Sequence, residues 1–466
     1  MYDHTEEAYK ACREALKRDD LFAYELANLY VLTNRKEKMI DEYIGILKRN
    51  PDNINYIKGI WQRVLKTDEE LEALETKLIQ LSQKEQNVSV YNELLVWTYL
   101  QQKNFFGAFV QARSLEKRFN GRGERIYEIA RIALANDEHE TASEMYAYIV
   151  KNFPDSPYYA MARKSDIRTR ATWVTNDYPI NKEAIRKLTK DYAGLVAEMG
   201  NTVTAMESRR EKALLHAFYL KEYDSAIADL EYVIKYPRAP RSLRMESKLS
   251  LGDMFVLTGE PWEASLLYSQ VEKEVKDSPI AYKAKLKNAK LSYYKGEFEL
   301  SKGHLDILKE ATSREISNDA MALSLLIKDN TGLDSTETAM KRYAAIDLLM
   351  YQNRRQEALE AVEKMLYEFP GHSLEDELLY LKAKVLFEVG EFDQSVTALQ
   401  KIVTEYSGDI LTDDAYFMLG KVYETGKEDM AKAMDTYKEL MVKYPGSVYT
   451  AEARKRYRKL RGDALR

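Results

Sequence analysis

The sequence predicts an all-α protein built of stacked helix hairpins, because its composition is poor in turn residues and one residue spacing recurs along it. The 466 residues include 19 Gly and 10 Pro, about 4% and 2%, against averages of roughly 7% and 5%. So few turn residues favour long helices joined by short connectors. Since soluble domains average roughly 150 residues, the length allows about three domains or one extended array.

One spacing of apolar, small and proline residues recurs nine times. Its fullest form is Leu-Gly-x2-Tyr in one segment, followed by Ala-x3-Tyr-x2-Leu and a closing Pro in the next, as in Leu419–Pro445, where one residue is inserted. The other strong copies are Leu26–Pro51, Ile129–Pro154, Leu251–Val271 and Ile346–Pro370. The weaker copies are centred on Val96/Ala108, Leu214/Ala226, Ala289/Ser301 and Ala383/Ser395.

Each copy reads as two amphipathic helices with apolar residues at i, i+3, i+4 and i+7. A small residue recurs twelve positions apart, as at Gly252 and Ala264, where the two backbones must approach most closely. A larger residue four positions on, such as Tyr268, fills the space beside that contact, and proline ends the second helix. Because one hairpin cannot bury its apolar face alone, neighbouring hairpins must stack into a continuous core.

This signature resembles that of the tetratricopeptide repeat family, over Leu21 to Arg461 and at a period of about 34 residues. The resemblance implies a right-handed superhelical solenoid of about ten to eleven hairpins, with roughly 75% of residues helical. It also implies a non-enzymatic scaffold for protein–protein interaction.

We expect four segments along the array. They are the second helix of a truncated repeat (1–20), an N-terminal sub-array with degenerate repeats (21–200), a central sub-array (201–315) and a C-terminal sub-array with a basic capping helix (316–466). The degenerate stretches are Ile54–Gln83, Tyr158–Met199 and Ala320–Ile327, and Thr312–Ser335 is the candidate hinge. Ala8-x3-Cys12 matches a second helix that lacks its first. This predicts that the chain is a fragment, or begins at a mis-assigned start.

Charge and cysteine content exclude several classes of function. The 70 basic and 75 acidic side chains give a net charge of -5 and are interspersed, so no nucleic-acid-binding surface is indicated. The single cysteine, Cys12, cannot form an internal disulfide. No apolar run reaches the roughly 18 residues that a membrane helix requires. Residues 1–20 also lack the apolar core of a signal peptide.

No catalytic, cofactor or metal site is recognisable. The motifs HExxH, GxSxG, GxxxxGK[ST] and GxGxxG are absent, and no histidine has a second histidine or a cysteine at ligand spacing. We therefore expect no enzymatic activity, no cofactor and no metal. The histidines are His4, His139, His216, His304 and His372.

A turn motif indicates a cellular setting. Phe153–Lys164 and Tyr444–Lys455 share seven of twelve positions, around a Pro-x-Ser turn that leads into Ala-x-Ala-Arg-Lys. This motif is similar to the repeats of bacterial envelope proteins of the outer-membrane barrel-assembly lipoprotein and Tol-Pal coordinator types. The similarity implies a periplasmic or outer-membrane-associated adaptor in assembly or transport, if an upstream signal is missing from this chain.

Two other settings stay open. A complete chain would be a cytoplasmic adaptor or regulatory protein. Alternatively, the array is the substrate-recruiting arm of an enzyme whose catalytic domain lies outside this chain.

In this family the first helices of successive repeats line a concave groove, so the resemblance assigns partner binding to them. Aromatic side chains with polar or cationic neighbours suit a peptide or helix laid in a groove. Alternatively, about half of them only pack between neighbouring repeats. Transferred by position, the partner-binding residues are Tyr24, Asn28, Trp97, Tyr127, Arg131, Phe218, Lys290, Tyr293, Tyr343, Tyr380, Lys384, Phe387, Phe417 and Lys421.

Two special kinds of partner can be weighed from single residues. Chaperone-tail-binding members clamp a terminal carboxylate with a Lys and an Asn four residues apart. Here Asn28 holds the Asn position but Tyr24 replaces the Lys, so no chaperone cofactor is predicted. The closing helix, Arg454–Arg461, carries six basic groups. They either complement the helix dipole as a solvated cap or contact an acidic partner or anionic lipid.

Overall fold

The computed structural model describes residues 2–85, 87–310, 314–331 and 337–462. Helices account for 81% of it, and the described residues contain no strand. The predicted all-α helical repeat fold is therefore confirmed. None of the helices in these ranges is long and apolar enough to cross a membrane.

The described residues form 25 α-helices, numbered in chain order. They are α1 (Tyr2–Leu16), α2 (Ala23–Leu32), α3 (Lys36–Arg49), α4 (Ile54–Val64), α5 (Asp68–Lys84), α6 (Ser89–Gln101), α7 (Phe105–Arg118), α8 (Glu124–Ala135), α9 (His139–Asn152), α10 (Tyr159–Asn176), α11 (Lys182–Met199), α12 (Val203–Leu215), α13 (Tyr223–Lys235), α14 (Arg241–Thr258), α15 (Pro261–Glu274), α16 (Pro279–Tyr294), α17 (Phe298–Lys309), α18 (Arg314–Asn330), α19 (Thr338–Tyr351), α20 (Arg355–Glu368), α21 (Glu375–Val389), α22 (Phe392–Glu405), α23 (Thr412–Lys421), α24 (Met430–Lys443) and α25 (Thr450–Arg461).

The nine copies of the repeated spacing are nine pairs of consecutive helices that pack against each other. The pairs are α2/α3, α6/α7, α8/α9, α12/α13, α14/α15, α16/α17, α19/α20, α21/α22 and α23/α24. Two further pairs of consecutive helices, α4/α5 and α10/α11, cover two of the three stretches predicted to be degenerate repeats, and α18 covers the third. The described residues therefore hold nine closely packed hairpins, and the expected total of ten to eleven stays a prediction.

Two compact units divide the chain: unit 1 is Met1–Thr169 and unit 2 is Arg170–Leu465. The core of unit 1 includes Tyr43 and Trp61, each 0% exposed. Unit 2 has its own apolar clusters, between successive hairpins. The predicted segment limits at residues 200 and 315 stay predictions. The candidate hinge, Thr312–Ser335, lies partly outside the described residues.

The contact between a small residue and a tyrosine is formed inside the hairpins. A Cβ atom added at Gly252 would lie 2.5 Å from Cε1 of Tyr268, and one added at Gly420 would lie 2.5 Å from Cε1 of Tyr437. The tyrosine ring of the second helix thus rests directly on the backbone of the first. Both rings are buried, at 2% and 0% exposed, so the glycine is needed to leave room for them.

Two of the four weaker copies replace this contact by a hydrogen bond. Ser301 donates its hydroxyl to the carbonyl of Ala289 at 2.9 Å, and Ser395 donates to the carbonyl of Ala383 at 2.8 Å. Each serine is 0% exposed. Serine therefore holds the two backbones at the same close approach, and it satisfies its own buried hydroxyl there.

Two first helices end in π-helical turns. The turn after α23 is Val422–Gly426, and the turn after α12 is His216–Leu220. Such turns absorb one extra residue in a helix. This explains why the last copy keeps its packing despite an inserted residue. It also moves the buried small residue of α12 to Ala213, which is 0% exposed, one position before the predicted centre.

The first helix docks on α2 and α3 through charged groups. Glu6 accepts hydrogen bonds from Tyr30 at 3.0 Å and from Lys38 at 2.9 Å, and both guanidinium nitrogens of Arg13 donate to Glu42 at 2.8 Å. Burial alone would raise the pKa of Glu6, but these donors and Lys10 hold it at about 2. The repeat pattern would place one face of α1 against a preceding helix. The residues of that face are exposed: Ala8, Cys12 and Ala15.

The glycine–tyrosine contact predicts the effect of a single methyl group. Gly252→Ala should lower the free energy of unfolding by about 1–3 kcal/mol, because the added Cβ overpacks the ring of Tyr268. The matched control is Gly303→Ala in α17, where no atom lies within 4 Å of the added Cβ. This control should raise the free energy of unfolding by about 0.5–1 kcal/mol, because alanine has less backbone entropy than glycine to lose on folding. Urea unfolding of both variants measures the difference, and equal stability would contradict the packing described.

Candidate functional site

The predicted partner-binding residues of unit 1 lie on α2, α6 and α8. Tyr24 is 38% exposed, and its ring lies 6.3 Å from that of Tyr56. Asn28 is exposed and accepts a hydrogen bond of 3.4 Å from the hydroxyl of Tyr43. Both predicted side chains of α2 are therefore accessible, on a surface that is mainly aromatic.

The next residues of this set pack more deeply. Trp97 is half-buried, and its ring lies 6.1 Å from that of Trp61. Nearby on α4, burial lowers the pKa of Lys58. On α8, Tyr127 is half-buried against neighbouring tyrosines, and Arg131 is exposed. The predicted binding residues of unit 1 therefore lie on three different first helices and do not line one pocket.

The remaining predicted residues belong to unit 2, where polar and aromatic side chains follow one another on successive first helices. We call this surface the first-helix face of unit 2. Its charged members are Asp253, Lys287, Lys290, Asp347, Lys384, Asp414 and Lys421. Its aromatic members are Tyr294, Tyr351, Tyr380 and Phe417, and Tyr449, which directly precedes α25, packs on Phe417 at its end.

The face begins with an ion pair between α14 and α16. Lys287 donates to both carboxylate oxygens of Asp253, at 2.7 and 2.9 Å, and the hydroxyl of Tyr268 donates to the same carboxylate at 2.7 Å. A cavity of about 230 Å³ opens beside them, and Lys290 and Tyr351 also line it. Tyrosine rings and the aliphatic side chains of Val256, Leu286 and Leu291 form the apolar part of its walls.

The centre of the face is the carboxylate of Asp347 on α19. Burial raises its pKa, and the positive charges of Lys384 and Lys290 only partly oppose the shift. Among the described residues, no basic nitrogen lies within 4.0 Å of this carboxylate and no group hydrogen-bonds to it. Asp347 is therefore half-buried and has no direct partner from the chain.

Tyrosine hydroxyls surround this carboxylate. The pKa values of Tyr293, Tyr294 and Tyr343 are all raised, first by burial and next by the negative charge of Asp347. The hydroxyl of Tyr293 is buried and has no hydrogen-bond partner. These hydroxyls stay protonated at neutral pH, so they keep their capacity to donate hydrogen bonds.

A second buried carboxylate, that of Glu377, lies on α21. Burial raises its pKa, and the adjacent Asp376 raises it further. Its Oε2 atom is buried without a hydrogen-bond partner. The electrostatic influence of Glu377 reaches both Tyr293 and Tyr343, so it belongs to the same group of side chains as Asp347.

The face ends in an aromatic stack. Phe417 lies parallel to Tyr449 with ring centroids 4.6 Å apart, and the Tyr449 hydroxyl donates to Asp414 at 2.7 Å. Burial lowers the pKa of Lys421, and nearby Arg456 lowers it further. Phe417 and Lys421 are half-buried, so part of each side chain is open to a partner.

Three predicted binding residues are corrected by the structure. Tyr293, Tyr343 and Phe387 are only 0%, 8% and 4% exposed. They belong to the core between hairpins and cannot form the surface of a groove. Tyr380 is half-buried, and Lys384 is exposed.

Unit 2 also covers part of its own first-helix surface. The side chain of Asn353 donates to the carbonyl of Phe218 at 2.6 Å, and that of Gln352 donates to the carbonyl of Val256 at 2.9 Å. The predicted residue Phe218 is thus occupied by the loop after α19. The open part of the face runs from α16 to α23.

Sequence reasoning missed several members of the face, although a signal for them exists. Asp347 and Tyr351 follow the predicted Tyr343 by one and two helical turns. Glu377 precedes the predicted Tyr380 by three residues, and Asp414 precedes Phe417 in the same way. Extending each predicted residue by one turn along its helix finds Asp347, Glu377 and Asp414, and a second turn finds Tyr351, because residues three and four apart share one helix face.

The polar groups of this face can be described by their chemistry. Within the described ranges, no three His, Cys, Asp or Glu side chains are placed to hold a metal ion. The face offers carboxylates, ammonium groups and phenol hydroxyls to whatever contacts it.

Comparison with known proteins gives one family. Residues 343–410 and 414–447 each match a family model described as tetratricopeptide repeat. These segments therefore carry tetratricopeptide repeats. No curated protein matches the sequence.

Solved structures with similar helical arrays share little sequence with this chain. A tetratricopeptide repeat protein from Parabacteroides merdae is 11% identical, covers 73% of this chain and 99% of its own, and has a TM-score of 0.28. The TPR domain of P58(IPK) is 14% identical, with 80% and 97% covered and a TM-score of 0.23. Naa15/Naa10 bound to HypK-THB is 14% identical, with 94% and 66% covered and a TM-score of 0.33.

Two neighbouring carboxylates of α21 predict opposite pH effects on stability. The pKa of Glu377 is raised in the folded protein above the ordinary glutamate value of 4.5. As the pH rises above 4.5, the unfolded chain loses this proton more readily than the folded chain, so the folded state becomes less stable. Glu377→Gln should therefore raise the free energy of unfolding by on the order of 1 kcal/mol at pH 8. This increase should vanish below about pH 4.5.

The control is Glu375→Gln. Lys401 donates to Glu375 at 2.8 Å and is the first cause of its lowered pKa. The pair with Lys401 stabilises the folded protein at a pH above the ordinary pKa of a glutamate, and this stabilisation is lost as the pH falls. The free energy of unfolding of Glu375→Gln should therefore be about 1 kcal/mol lower at pH 8. Urea midpoints at pH 4 and 8 measure both variants. A less stable Glu377→Gln at pH 8 would contradict the burial described.

Proposed function

We propose that this chain, whose residues 343–410 and 414–447 are tetratricopeptide repeats, is a non-catalytic scaffold that binds a protein or peptide on the first-helix face of unit 2. Proteins built from such repeats generally act as scaffolds for protein interaction. One observation carries the proposal. Asp347 and Lys384 lie on neighbouring first helices, and each lacks a direct partner among the described residues.

The character of the face supports a peptide-like occupant. Charges of both signs alternate along it, and half-buried rings such as Tyr380 and Phe417 lie between them. Interface energy concentrates in aromatic and charged side chains that are partly desolvated before binding. An extended peptide or an amphipathic helix can contact several consecutive first helices at once.

Replacing Lys384 tests the face directly. Lys384→Ala removes an exposed charge from its centre and should weaken capture of native partners about tenfold, the effect of losing roughly 1.4 kcal/mol of binding. The matched control is Lys438→Ala, an exposed lysine on the second helix α24, which should leave capture unchanged. Tagged full-length chains exposed to a lysate of the source organism, followed by mass spectrometry, provide the comparison.

Equal capture by the two variants would overturn binding at this face. Capture lost with Lys438→Ala alone would place the partner on the second helices instead. Melting temperatures of both variants should match that of the unmodified chain, because each lysine is exposed and unpaired in the described structure.

We also propose a setting in bacterial cell-envelope assembly or transport, at the periplasm or outer membrane. The support is the Pro-x-Ser turn motif of Phe153–Lys164 and Tyr444–Lys455. In the structure, the motif serine closes the turn, since the hydroxyl of Ser156 accepts from the backbone N–H of Tyr158 at 3.0 Å. Ser447 forms the same bond with Tyr449 at 3.1 Å.

Fractionation of the source organism tests this setting. The native protein should be found in the periplasmic or outer-membrane fraction by immunoblotting, beside a marker of each compartment. Recovery with the cytoplasmic marker would favour the alternative of a cytoplasmic adaptor.

The basic helix α25 is a second proposed contact, for an acidic partner. Part of its charge is already used, because Arg456 donates to Glu424 and Glu452, each at 3.0 Å. Arg454, Arg458 and Lys459 are exposed. They are the residues of α25 best placed to meet an acidic surface.

A further inference from the structure

The cavity of about 230 Å³ in unit 2 is lined by three lysines of one helix. It lies between α14, α15, α16, α18 and α19, and we call it the α16 cavity. Lys283, Lys287 and Lys290 line it at i, i+4 and i+7 of α16, a spacing that places them on one face of the helix. The acidic side chains of the lining are Asp253 and Asp319. The α16 cavity therefore has one more positive than negative side chain.

One lysine and one tyrosine of the α16 cavity already hold a carboxylate. Lys287 donates to both oxygens of Asp253, at 2.7 and 2.9 Å, and the hydroxyl of Tyr268 donates to the same group at 2.7 Å. Asp253 is only 8% exposed, so the chain itself supplies the acceptor that these two donors need. Hydrogen bonds to an ionised carboxylate are stronger than those between neutral groups. A lysine and a tyrosine together thus form a carboxylate site in these surroundings.

A second lysine and tyrosine line the α16 cavity without such an acceptor. Lys290 and Tyr294 are four residues apart on α16, so their side chains are neighbours. The Lys290 ammonium lies 3.9 Å from the carboxylate of Asp319, which is longer than a hydrogen bond, and 43% of its side chain is exposed. The hydroxyl of Tyr294 and the exposed ammonium of Lys283 bond to no other described residue. The unmet groups of the cavity are therefore donors.

The next acidic side chain does not cancel the positive charge. The carboxylate of Asp347 acts on Lys290 from beyond 4.0 Å, and Lys384 acts on Asp347 from the other side. Asp347 and Lys384 together add no net charge. The apolar walls of the α16 cavity also reduce screening by water, which strengthens the attraction between a lysine and an incoming anion.

We propose that the α16 cavity binds the carboxylate of an aspartate or glutamate side chain of the partner, through Lys290 and Tyr294. This inference rests on the proposed function, because Lys287 and Lys290 belong to the first-helix face of unit 2. It gives the occupant of that face one charged anchor. Lys283, at the exposed end of the lysine row, adds a positive charge that attracts the same group.

A side-chain carboxylate fits the α16 cavity better than a phosphoryl group or a chain end. A phosphoserine carries about −1.5 to −2 charges at neutral pH, whereas the lining has one unbalanced positive charge, and Asp319 would repel the excess. A peptide anchored by a side chain can also continue along α19, α21 and α23, as an occupant of several first helices must. A terminal carboxylate would end the peptide at α16.

Short peptides test the inference with the full chain. Acetylated and amidated octapeptides carry glutamate, glutamine or phosphoserine at one central position, and their other residues are random and uncharged. A fourth set has glutamine at the centre and a free C-terminal carboxylate. In calorimetric titrations, the unmodified chain should bind the glutamate set about tenfold more tightly than the glutamine set. Equal affinity for these two sets would overturn the inference, and so would tighter binding of the phosphoserine or free-terminus set.

Three variants locate the effect. Lys290→Gln should remove most of the preference for glutamate. Tyr294→Phe should reduce it severalfold without lowering the melting temperature, because it deletes a hydroxyl that has no partner in the described part of the chain. The control Lys438→Gln changes the net charge equally at an exposed position of α24 and should keep the preference. An equal loss with Lys438→Gln, or an unchanged preference in Lys290→Gln, would overturn the site.

The outcome for the proposed function is separate. If Lys384→Ala lowers capture of native partners while the unmodified chain binds the glutamate and glutamine sets equally, the face binds partners and the acidic anchor is wrong. If Lys384→Ala leaves capture unchanged while Lys290→Gln removes the glutamate preference, the α16 cavity is a carboxylate site and native partners bind elsewhere.

Discussion

The close approach of the two helices in each hairpin is the constraint on which this structure depends. A tyrosine of the second helix lies flat on the backbone of the first, which leaves no room for a Cβ at Gly252 or Gly420. Where serine takes part instead, as at Ser301, its hydroxyl bonds to the facing backbone carbonyl. Both devices hold the helix axes close together. Because the devices recur, successive hairpins have similar geometry and can stack, with apolar clusters between them.

Regular hairpins have a consequence for the surface. Side chains at equivalent positions of the first helices come to lie side by side, however far apart they are in sequence. Asp253, Lys290 and Asp347 reach one face of unit 2 in this way, and Lys384 continues it on the next hairpin. The alternation of charge along that face is therefore a result of repeat geometry combined with a few variable positions.

The hairpins could be predicted from sequence because their determinants are local. The small residue and its tyrosine lie less than two helix lengths apart, and proline marks the end. The fate of the candidate binding residues could not be predicted, because it depends on remote contacts. Phe387 is buried partly by Tyr178, and Phe218 is covered by the loop that contains Asn353. No spacing within a single repeat contains that information, although stepping one turn along α19 would have found Asp347.

The tyrosines show why the surroundings of Tyr293 are unusual within this chain. Elsewhere, a buried tyrosine that meets a carboxylate bonds to it: Tyr268 donates to Asp253 and Tyr437 donates to Glu424, both at 2.7 Å. The ring then fills the core while the hydroxyl and the carboxylate satisfy each other, so neither remains for a partner. Tyr293 is as deeply buried and lies under the charge of Asp347, yet its hydroxyl is unpaired. The same fold completes this pairing at Asp253, on the same face, and at Glu424, so the unpaired hydroxyl of Tyr293 is a feature of its own hairpin and not of the whole face.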